Sequence, residues 1–345
     1  MKVMIVNEFA FDHYAASLCR ALRAIGIAVE ELAVGPRRFL DVVRRAQMKY
    51  VRGPEVWAAN ARLVAACARK RPRAVLLWTV PWVYPSTIRA IRAMGARVAI
   101  YNNDDPFGPD RDWPMWRAFR RSIPEVDLCF AYRTVNIDEY SAAGARKVRL
   151  LRSWFDPKRD RPVPPTSDDQ DRFGSDVTFA GHYEEDGRER CVEALIRAGL
   201  RVRIFGDPKL WAPVVRRMSW STIPPVRMAG GDEYARVLSC CKLALVFLSA
   251  RNRDDYTRRC FEIPAIGAAM LAPRTDTLMA MFRENQEAIF YSTPSELAER
   301  ARYFASHDVE RTRLAEAGHA RCLRDGHDVI SRARGLVSDL ESVLT

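Results

Sequence analysis

The fold is decided by residues 74–101, which read AVLLWTVPWVYPSTIRAIRAMGARVAIY. The segment begins with an apolar run, Ala74–Trp78, that predicts a buried strand, and it ends with a second such run, Arg97–Tyr101. Between them, Pro85–Met94 has apolar residues at helical spacing, and Gly95 supplies the helix stop. A strand, a helix and another strand in this order predict a βαβ unit with parallel strands.

The same alternation continues from this unit in both directions. In the first half of the chain the further apolar runs are Val3–Val6, Ala28–Val34, Asp127–Tyr132 and Lys147–Leu151. In the second half they are Val177–Ala180, Val202–Phe205, Leu243–Leu248, Ala268–Leu271 and Ala288–Tyr291. Helical spacing fills the intervals, and the chain from Pro294 onward is expected to be helical in three pieces. We predict an α/β fold of two Rossmann-like, doubly wound parallel-sheet domains that face each other across a cleft.

A polar segment separates the two halves. Residues 156–175 read DPKRDRPVPPTSDDQDRFGS, with four prolines and few apolar residues, which is typical of a linker. We therefore assign residues 1–155 to an N-terminal domain and residues 176–325 to a C-terminal domain. Residues 326–345 are expected to form a helix that packs back on the N-terminal domain.

Composition narrows the class of protein. Of the 345 residues, 48% are hydrophobic and 28% are charged, which excludes collagen-like and disordered chains. The longest apolar runs are far shorter than the ~20 residues that a membrane-spanning helix needs. Eight cysteines are scattered without a CxxC pair, which is typical of free thiols and offers no zinc site. We expect a cytoplasmic protein.

Positive charge is concentrated near the N-terminus. The net charge is +12, and Arg37–Arg73 alone contains eleven basic and two acidic residues. Such a segment could attract an anionic membrane surface, a phosphorylated substrate or nucleic acid, or it could be a solvated face of an arginine-rich chain. We expect no specific nucleic acid partner, because the basic residues are not interleaved with an aromatic platform. One hypothesis is that Arg37–Arg73 docks the protein peripherally on an anionic membrane, at its inner face, or on a phospholipid-linked acceptor.

The most informative chemistry lies in residues 254–272, DDYTRRCFEIPAIGAAMLA. A short helix here carries Arg259 and Glu262 three residues apart, so that both lie on one face. Tyr256 and Thr257 lie at its N-terminal end, where free backbone N–H groups can bind phosphate. Gly267 lets the helix stop and turn into the next strand.

This segment resembles the C-terminal domain of the GT-B glycosyltransferases, which use nucleotide-sugar donors. The likeness is to the branch typed by the spore maturation glycosyltransferase-like proteins. It rests on Arg259, Phe261, Glu262, Ala265 and Gly267, followed by Met281, Phe282 and Glu287. The broader superfamily has two acids separated by seven residues. Asp254 and Glu262 have that spacing, but Asp replaces the usual first Glu, so the stereochemical outcome stays open.

Other segments agree with this resemblance, which covers roughly Asp176 to Cys322. The family carries a basic residue after the glycine that ends the first strand of this domain, and another about six residues on. Here the glycine is Gly181 and the basic residues are His182 and Arg188. Residues 203–207, RIFGD, resemble the strand and turn near the donor base.

The resemblance implies a glycosyltransferase that moves a sugar from a nucleotide-sugar co-substrate to an unidentified acceptor. The donor-binding residues that it implies are Gly181, His182, Arg188, Gly206, Asp254, Tyr256, Thr257, Arg259 and Glu262. Arg188, Arg259 and the helix start near Tyr256 would stabilise the leaving diphosphate. Glu262 would hold sugar or ribose hydroxyls. Neither a metal nor a further cofactor is implied, since fixed cations and dipoles take that role.

The first domain is expected to supply the acceptor site and the base. Asp104 and Asp105 follow the strand Arg97–Tyr101, and His13 follows the first strand. Each of them could deprotonate an acceptor hydroxyl, although Asp105 could instead cap a turn. Four tryptophans near strand ends could stack on sugar or belong to the core, namely Trp78, Trp82, Trp113 and Trp116.

Functions of other classes stay open at this point. A two-domain α/β chain with a strongly basic segment could be a binding or scaffold protein that has lost catalysis, although an intact Arg259–Glu262 pair argues against loss. A nucleic-acid-binding function rests on charge alone.

Overall fold

Residues 1–8, 12–34 and 41–344 are described by the computed structural model, apart from the side chains of Asp12, His13 and Asp41. The chain divides into two units. Unit 1 contains residues 1–152, 251–253 and 329–345, and unit 2 contains residues 153–250 and 254–328. Residues 251–253 thus belong to unit 1 although their neighbours in sequence belong to unit 2.

The described residues of unit 1 form one parallel sheet. Its strands are β1 (Lys2–Asn7), β2 (Ala28–Ala33), β3 (Ala74–Trp78), β4 (Arg97–Tyr101), β5 (Leu128–Ala131) and β6 (Val148–Leu150). The order across the sheet is β2-β1-β3-β4-β5-β6. All five residues of β3 are buried, which is why this strand is a continuous apolar run rather than an alternating one.

The helices of unit 1 cover both faces of this sheet. They are α1 (Ser17–Ala24), α2 (Asp41–Tyr50), α3 (Pro54–Lys70), α4 (Pro85–Ala93), α5 (Pro114–Ser122), α6 (Val135–Ala142) and α15 (Val329–Glu341). A π-helical turn over Asp12–Ala16 leads into α1, and a 3-10 turn over Ile123–Glu125 follows α5. The C-terminal α15 packs against α1, so the last helix belongs to the first unit.

Unit 2 repeats the same architecture. Its strands are β7 (Ser175–Ala180), β8 (Val202–Phe205), β9 (Cys241–Leu245), β10 (Ala269–Pro273) and β11 (Ile289–Tyr291). Its helices are α7 (Ser167–Phe173), α8 (Arg188–Arg197), α9 (Pro208–Arg217), α10 (Asp232–Ser239), α11 (Arg259–Ile266), α12 (Asp276–Met281), α13 (Pro294–Ser306) and α14 (Asp308–Arg324). The parallel sheet has the order β11-β10-β9-β7-β8.

Each sheet has a point where the strand order reverses, and these points locate the places where ligands can bind. In unit 1, β2 and β3 lie on opposite sides of β1, and in unit 2, β8 and β9 lie on opposite sides of β7. In open α/β sheets, ligands bind outside the carboxyl ends of the strands at such a reversal. In unit 1 the Asn7 side chain donates to the Trp78 carbonyl across this point, at 2.9 Å.

The predicted fold class, two doubly wound parallel-sheet units, is confirmed, but the predicted linker differs from what is observed. Residues 156–175 belong to unit 2 and contain α7, whose first turn is held by a capping box between Thr166 and Asp169. Asp160, in the same segment, is fully buried. The part of the chain described by the structure contains no helix with the length and hydropathy needed to span a membrane.

Candidate functional site

In unit 2, several predicted donor-site residues gather at the carboxyl end of β7. Gly181 and His182 follow β7 directly, and Arg259 is the first residue of α11. The guanidinium group of Arg259 donates from Nε to the carbonyl of Ala180, the last residue of β7, and lies over the Phe179 ring at 5.7 Å. The structure therefore places one cation at the strand end where the topology locates a ligand.

Within the part of the chain that the structure describes, Arg259 differs from Arg188 and Arg258 in having no carboxylate partner. Among the described residues, none places a carboxylate within ion-pair distance of its half-buried guanidinium group. The backbone N–H groups of Thr257 and Arg259, at the start of α11, make no hydrogen bond within the described part of the chain either. A cation and free N–H groups at one helix N-terminus can bind an anion.

Two glycines are required for this arrangement. A Cβ atom at Gly181 would lie 2.5 Å from Nη2 of Arg259, so a side chain there would displace the guanidinium group. A Cβ atom at Gly206 would lie 2.3 Å from the Gly181 carbonyl oxygen, because the loops after β7 and β8 are in backbone contact. Trp211 fixes that carbonyl by donating from its indole Nε1, at 2.9 Å.

Arg188 occupies the predicted position at the start of α8 but is neutralised by its neighbours. It is buried, donates to both carboxylate oxygens of Asp186, and also donates to the His182 carbonyl. These contacts stabilise the loop after β7, and the Arg188 charge is already paired with a carboxylate instead of being available to bind a ligand. His182 itself is exposed, and partial loss of solvation together with the positive charge of Arg259 lowers its pKa.

Glu262 is the residue whose surroundings differ most from expectation. The sequence analysis paired it with Arg259, but Glu262 is buried and accepts hydrogen bonds from Arg258 at 2.5 Å, from Arg159 and from Tyr234 at 3.0 Å. Its carboxylate is therefore held by two arginines and a phenol.

Asp160 completes a largely buried charge cluster that we define as Arg159, Asp160, Arg258 and Glu262. Arg159 also donates to Asp160 at 2.7 Å, and Arg258 lies 3.7 Å from it. Burial and the negative charge of Glu262 raise the pKa of Asp160, against the opposing charges of the two arginines. The cluster ties the segment before α7 to the helix that carries Arg259.

We expect Glu262→Gln to lower the free energy of unfolding by about 3–5 kcal/mol, because it removes the carboxylate to which the buried Arg258 and the largely buried Arg159 both donate. Urea unfolding measures the change. Asp168→Asn is the matched control, since Asp168 and Arg172 form an exposed i,i+4 pair in α7 and should change stability by less than about 0.5 kcal/mol. Equal effects of the two substitutions would contradict a structural role for the cluster.

The remaining predicted donor residues lie on the segment that leads to α11. The Tyr256 side chain is buried, and its hydroxyl accepts the Ser153 N–H at 3.0 Å, which fixes the segment in unit 2. Asp254 is half-buried, and its N–H donates to the Ser249 carbonyl at 3.0 Å. The Tyr256 side chain therefore has a structural role in the core of unit 2. Asp254 is only half-buried and lies five residues before Arg259 in the sequence.

In unit 1, Asp105 has a structural environment. It is fully buried, and its Oδ2 accepts from Arg253 at 2.6 Å while its Oδ1 accepts from the Phe107 N–H and from Asn136, both at 2.9 Å. Burial alone would raise the pKa of Asp105, but these hydrogen bonds and the charge of Arg253 lower it. A carboxylate with a low pKa and both oxygens occupied is a weak base.

Asp104 is less constrained than its neighbour. Its side chain is half-buried, and its Oδ1 accepts a long hydrogen bond from the Asn252 amide, at 3.5 Å. Sequence reasoning did not single out Asn252 and Arg253, which sit in unit 1 and contact both aspartates. The polar run 251–255, RNRDD, a few residues after the apolar run Leu243–Leu248, was the signal that could have identified them.

Other predicted residues of unit 1 divide between the core and the surface. Trp78, Trp82 and Trp116 are buried, whereas Trp113 is exposed. The side chain of His13 lies outside the described residues. Arg133, which the sequence analysis missed, is buried just after β5 and donates to the Asn103 carbonyl at 2.8 Å.

Comparison with known proteins agrees with this fold. Residues 188–338 match a protein family described as "Glycosyl transferase-like". No curated protein matches the chain. Among solved structures, HepE from Anabaena in complex with UDP and glucose is similar at 14% identity and a TM-score of 0.68, covering 99% of this chain and 100% of that one.

Two further structures show how widely the fold is used. Sucrose-phosphate synthase from Thermosynechococcus elongatus is 12% identical with a TM-score of 0.73, and the match covers 99% of both chains. A putative UDP-N-acetylglucosamine 2-epimerase from Listeria monocytogenes is 12% identical with a TM-score of 0.59, covering 99% of this chain and 96% of that one. This chain therefore has the fold of the GT-B glycosyltransferases, and its residues 188–338 match the glycosyl transferase-like family.

Proposed function

We propose that the protein transfers a sugar from a nucleoside-diphosphate-sugar donor to a hydroxyl-bearing acceptor. The observation that carries this proposal is the position of Arg259, whose guanidinium group is held by a backbone carbonyl at the end of β7. Among the described residues it has no carboxylate partner, and the N–H groups of Thr257 and Arg259 beside it make no hydrogen bond. A diphosphate is the ligand whose charge and size suit such a helix N-terminus. Unit 2 would then bind the donor.

In this reaction, the bond between the anomeric carbon and the β-phosphate oxygen breaks while the acceptor oxygen attacks the same carbon. Arg259 and the start of α11 stabilise the negative charge that develops on the diphosphate. A base of unit 1 takes the acceptor proton if the reaction inverts, and we propose Asp104 or His13 for that role rather than the occupied Asp105.

The fold alone does not select transfer over epimerisation, since one structural neighbour is a putative 2-epimerase. The family match over residues 188–338 favours transfer, and the neighbour solved with UDP and glucose favours a uridine nucleotide. Incubation with a donor alone separates the two reactions. An epimerase converts the sugar nucleotide without an acceptor, whereas a transferase releases free nucleotide at a slow hydrolytic rate.

A nucleoside diphosphate is expected to stabilise the protein. At 100 times its dissociation constant, a ligand of the folded state adds about 2.7 kcal/mol, which raises Tm by several degrees. Thermal unfolding with UDP, GDP and ADP, compared with the nucleosides alone, checks this and selects the base. A shift that is the same for nucleoside and diphosphate would contradict a diphosphate site, and no shift at all would favour the alternative of an inactive scaffold.

Three finer assignments complete the proposal. We assign the chain to the spore maturation protein-like branch on the motif of residues 259–267. We propose that the reaction needs no metal, because Arg259 and the helix N-terminus provide the positive charge. We also propose a cytoplasmic enzyme that touches the inner face of a membrane through its basic N-terminal segment.

A further inference from the structure

The exposed face of α3 has an unusual composition. Exposed residues recur along this helix at helical spacing, at Trp57, Ala58, Ala61, Arg62, Ala65, Ala68 and Arg69. This face contains one tryptophan, four alanines and two arginines, and no acidic residue. Solvent-exposed helix faces normally carry charges of both signs. An apolar face whose charged residues are all arginines therefore indicates a surface that binds a partner.

The neighbouring α2 adds large apolar side chains to this surface. Val42 is 78% exposed, Val43 58% and Tyr50 56%, while Trp57 at the start of α3 is 59% exposed. Helix α2 packs against α3 and α5, so these residues share one region of unit 1. We call the exposed residues of α2 and α3, together with Trp113, the α2–α3 surface.

Tryptophan is distributed unevenly between this surface and the rest of the chain. Six of the eight tryptophans are buried, and the two exposed ones are Trp57 and Trp113. Trp113 lies against Lys49 of α2, whose Nζ is 3.5 Å from the centre of the ring. The ring of an exposed tryptophan is stabilised when it moves from water into an apolar or interfacial environment.

The charge of the same region is positive. Residues 41–70 include seven basic and two acidic residues. One of the acids, Glu55, lies 3.8 Å from Arg44. The exposed arginines Arg62 and Arg69 on α3 therefore act with Lys49 and Arg52 as a net positive charge around the apolar side chains.

We propose that the α2–α3 surface docks on an anionic lipid bilayer, with Trp57, Trp113 and Tyr50 at the headgroup level and the arginines on lipid phosphates. Interfacial helices combine an apolar face with Lys and Arg in this way. Nucleic acid would use the same cations and could stack on the aromatic rings, but it would gain nothing from exposed Val42 and Val43. The aliphatic residues therefore favour lipid.

This inference deepens the proposed function by placing the acceptor side of the reaction at a membrane, yet it can be tested without any sugar substrate. Lipid binding is measured without donor or acceptor, and nucleotide binding is measured without lipid. Failure of one measurement therefore leaves the other unaffected.

The test is co-sedimentation with vesicles of phosphatidylcholine alone or mixed with phosphatidylglycerol. We expect binding to the mixed vesicles that falls with added salt. The double substitution Arg62→Gln and Arg69→Gln should weaken it by about 30-fold. The same charge change at exposed Arg216 of α9 and Arg313 of α14 should leave it within about twofold. Equal recovery with neutral and anionic vesicles, or equal effects of the two double variants, would overturn the proposal.

Fluorescence identifies the surface that contacts the lipid. Lipids brominated near the headgroup should quench the wild-type protein, because both exposed tryptophans lie on the α2–α3 surface. Replacing Trp57 and Trp113 by Phe should abolish this quenching while vesicle binding persists. Quenching that survives in this variant would show that a different surface contacts the lipid, and salt-sensitive binding to RNA or DNA as tight as that to vesicles would show that the α2–α3 surface has another partner. Either result would overturn the proposal.

Discussion

Replacing Arg259 by alanine is expected to raise the dissociation constant for a nucleoside diphosphate by about 10- to 150-fold. A charge-assisted hydrogen bond to a phosphate contributes about 1.5–3 kcal/mol, and every 1.4 kcal/mol is a factor of ten. Turnover should fall as well, because the same cation meets the charge that develops on the leaving group. The fold should survive, since the side chain is half-buried and its hydrogen bond is to a backbone carbonyl. Calorimetric titration with the nucleotide measures the affinity.

Two companion variants test whether the position of that cation matters. Gly181→Ala retains the charge but places a Cβ atom 2.5 Å from Nη2 of Arg259, so it should weaken nucleotide binding in the same direction. Arg188→Ala removes the buried guanidinium group that donates to both oxygens of the largely enclosed Asp186 carboxylate, so it should lower stability more than it lowers affinity. Wild-type affinity in both Arg259→Ala and Gly181→Ala would place the donor site elsewhere.

The strands and the helix ends were predictable because they depend on local signals. The limits of β3 and β4 coincide with the predicted runs Ala74–Trp78 and Arg97–Tyr101, since a strand buried on both faces is a continuous apolar run. Gly267 follows the last helical residue of α11 and takes a positive φ of 83°, a conformation that glycine adopts without a Cβ penalty.

Short or polar helices were missed for an equally local reason. Helix α7 is seven residues long and almost entirely polar, and it follows a run of prolines, so its sequence is typical of a linker. Its capping box, Thr166 with Asp169, was the available signal. Helix α9 contains Pro213, which disfavours a helix in any propensity argument.

The partners of Glu262 were unpredictable because they come from distant segments. On a helix, both i−3 and i−4 neighbours are within reach, so Arg259 and Arg258 were equivalent choices from spacing alone. In the structure Arg258 donates to Glu262, Arg259 donates to the Ala180 carbonyl, and Arg159, which lies 103 residues from Glu262, donates to the same carboxylate oxygen as Arg258. Asp105 shows the same limit, since Arg253 reaches it from 148 residues away.

Substitution of the two adjacent aspartates of unit 1 is expected to give opposite results. Asp105→Asn should lower the free energy of unfolding by about 2–4 kcal/mol. This loss is somewhat smaller than is usual for breaking a fully buried ion pair, because the Arg253 side chain is 33% exposed. Asp105 accepts three N–H donors, and an amide nitrogen in place of one oxygen would face at least one of them. Asp104→Asn should change stability by less than about 0.5 kcal/mol.

The transfer rates should show the opposite order, with the larger loss in the Asp104 variant. If Asp104 removes the acceptor proton, Asp104→Asn should lower the transfer rate by about 10²–10⁴-fold and leave nucleotide affinity unchanged. Asp105→Asn, measured where it is still folded, should retain most of its rate, because the low pKa and occupied oxygens of Asp105 make it a weak base. A rate for Asp104→Asn within a few-fold of wild type would instead assign the proton to His13 or to a retaining route that needs no protein base. Because the two residues are adjacent and Asp105→Asn disturbs the loop more, a general disturbance would lower the rate of Asp105→Asn at least as much as that of Asp104→Asn. A larger rate loss in Asp104→Asn would therefore come from the chemistry of the Asp104 carboxylate.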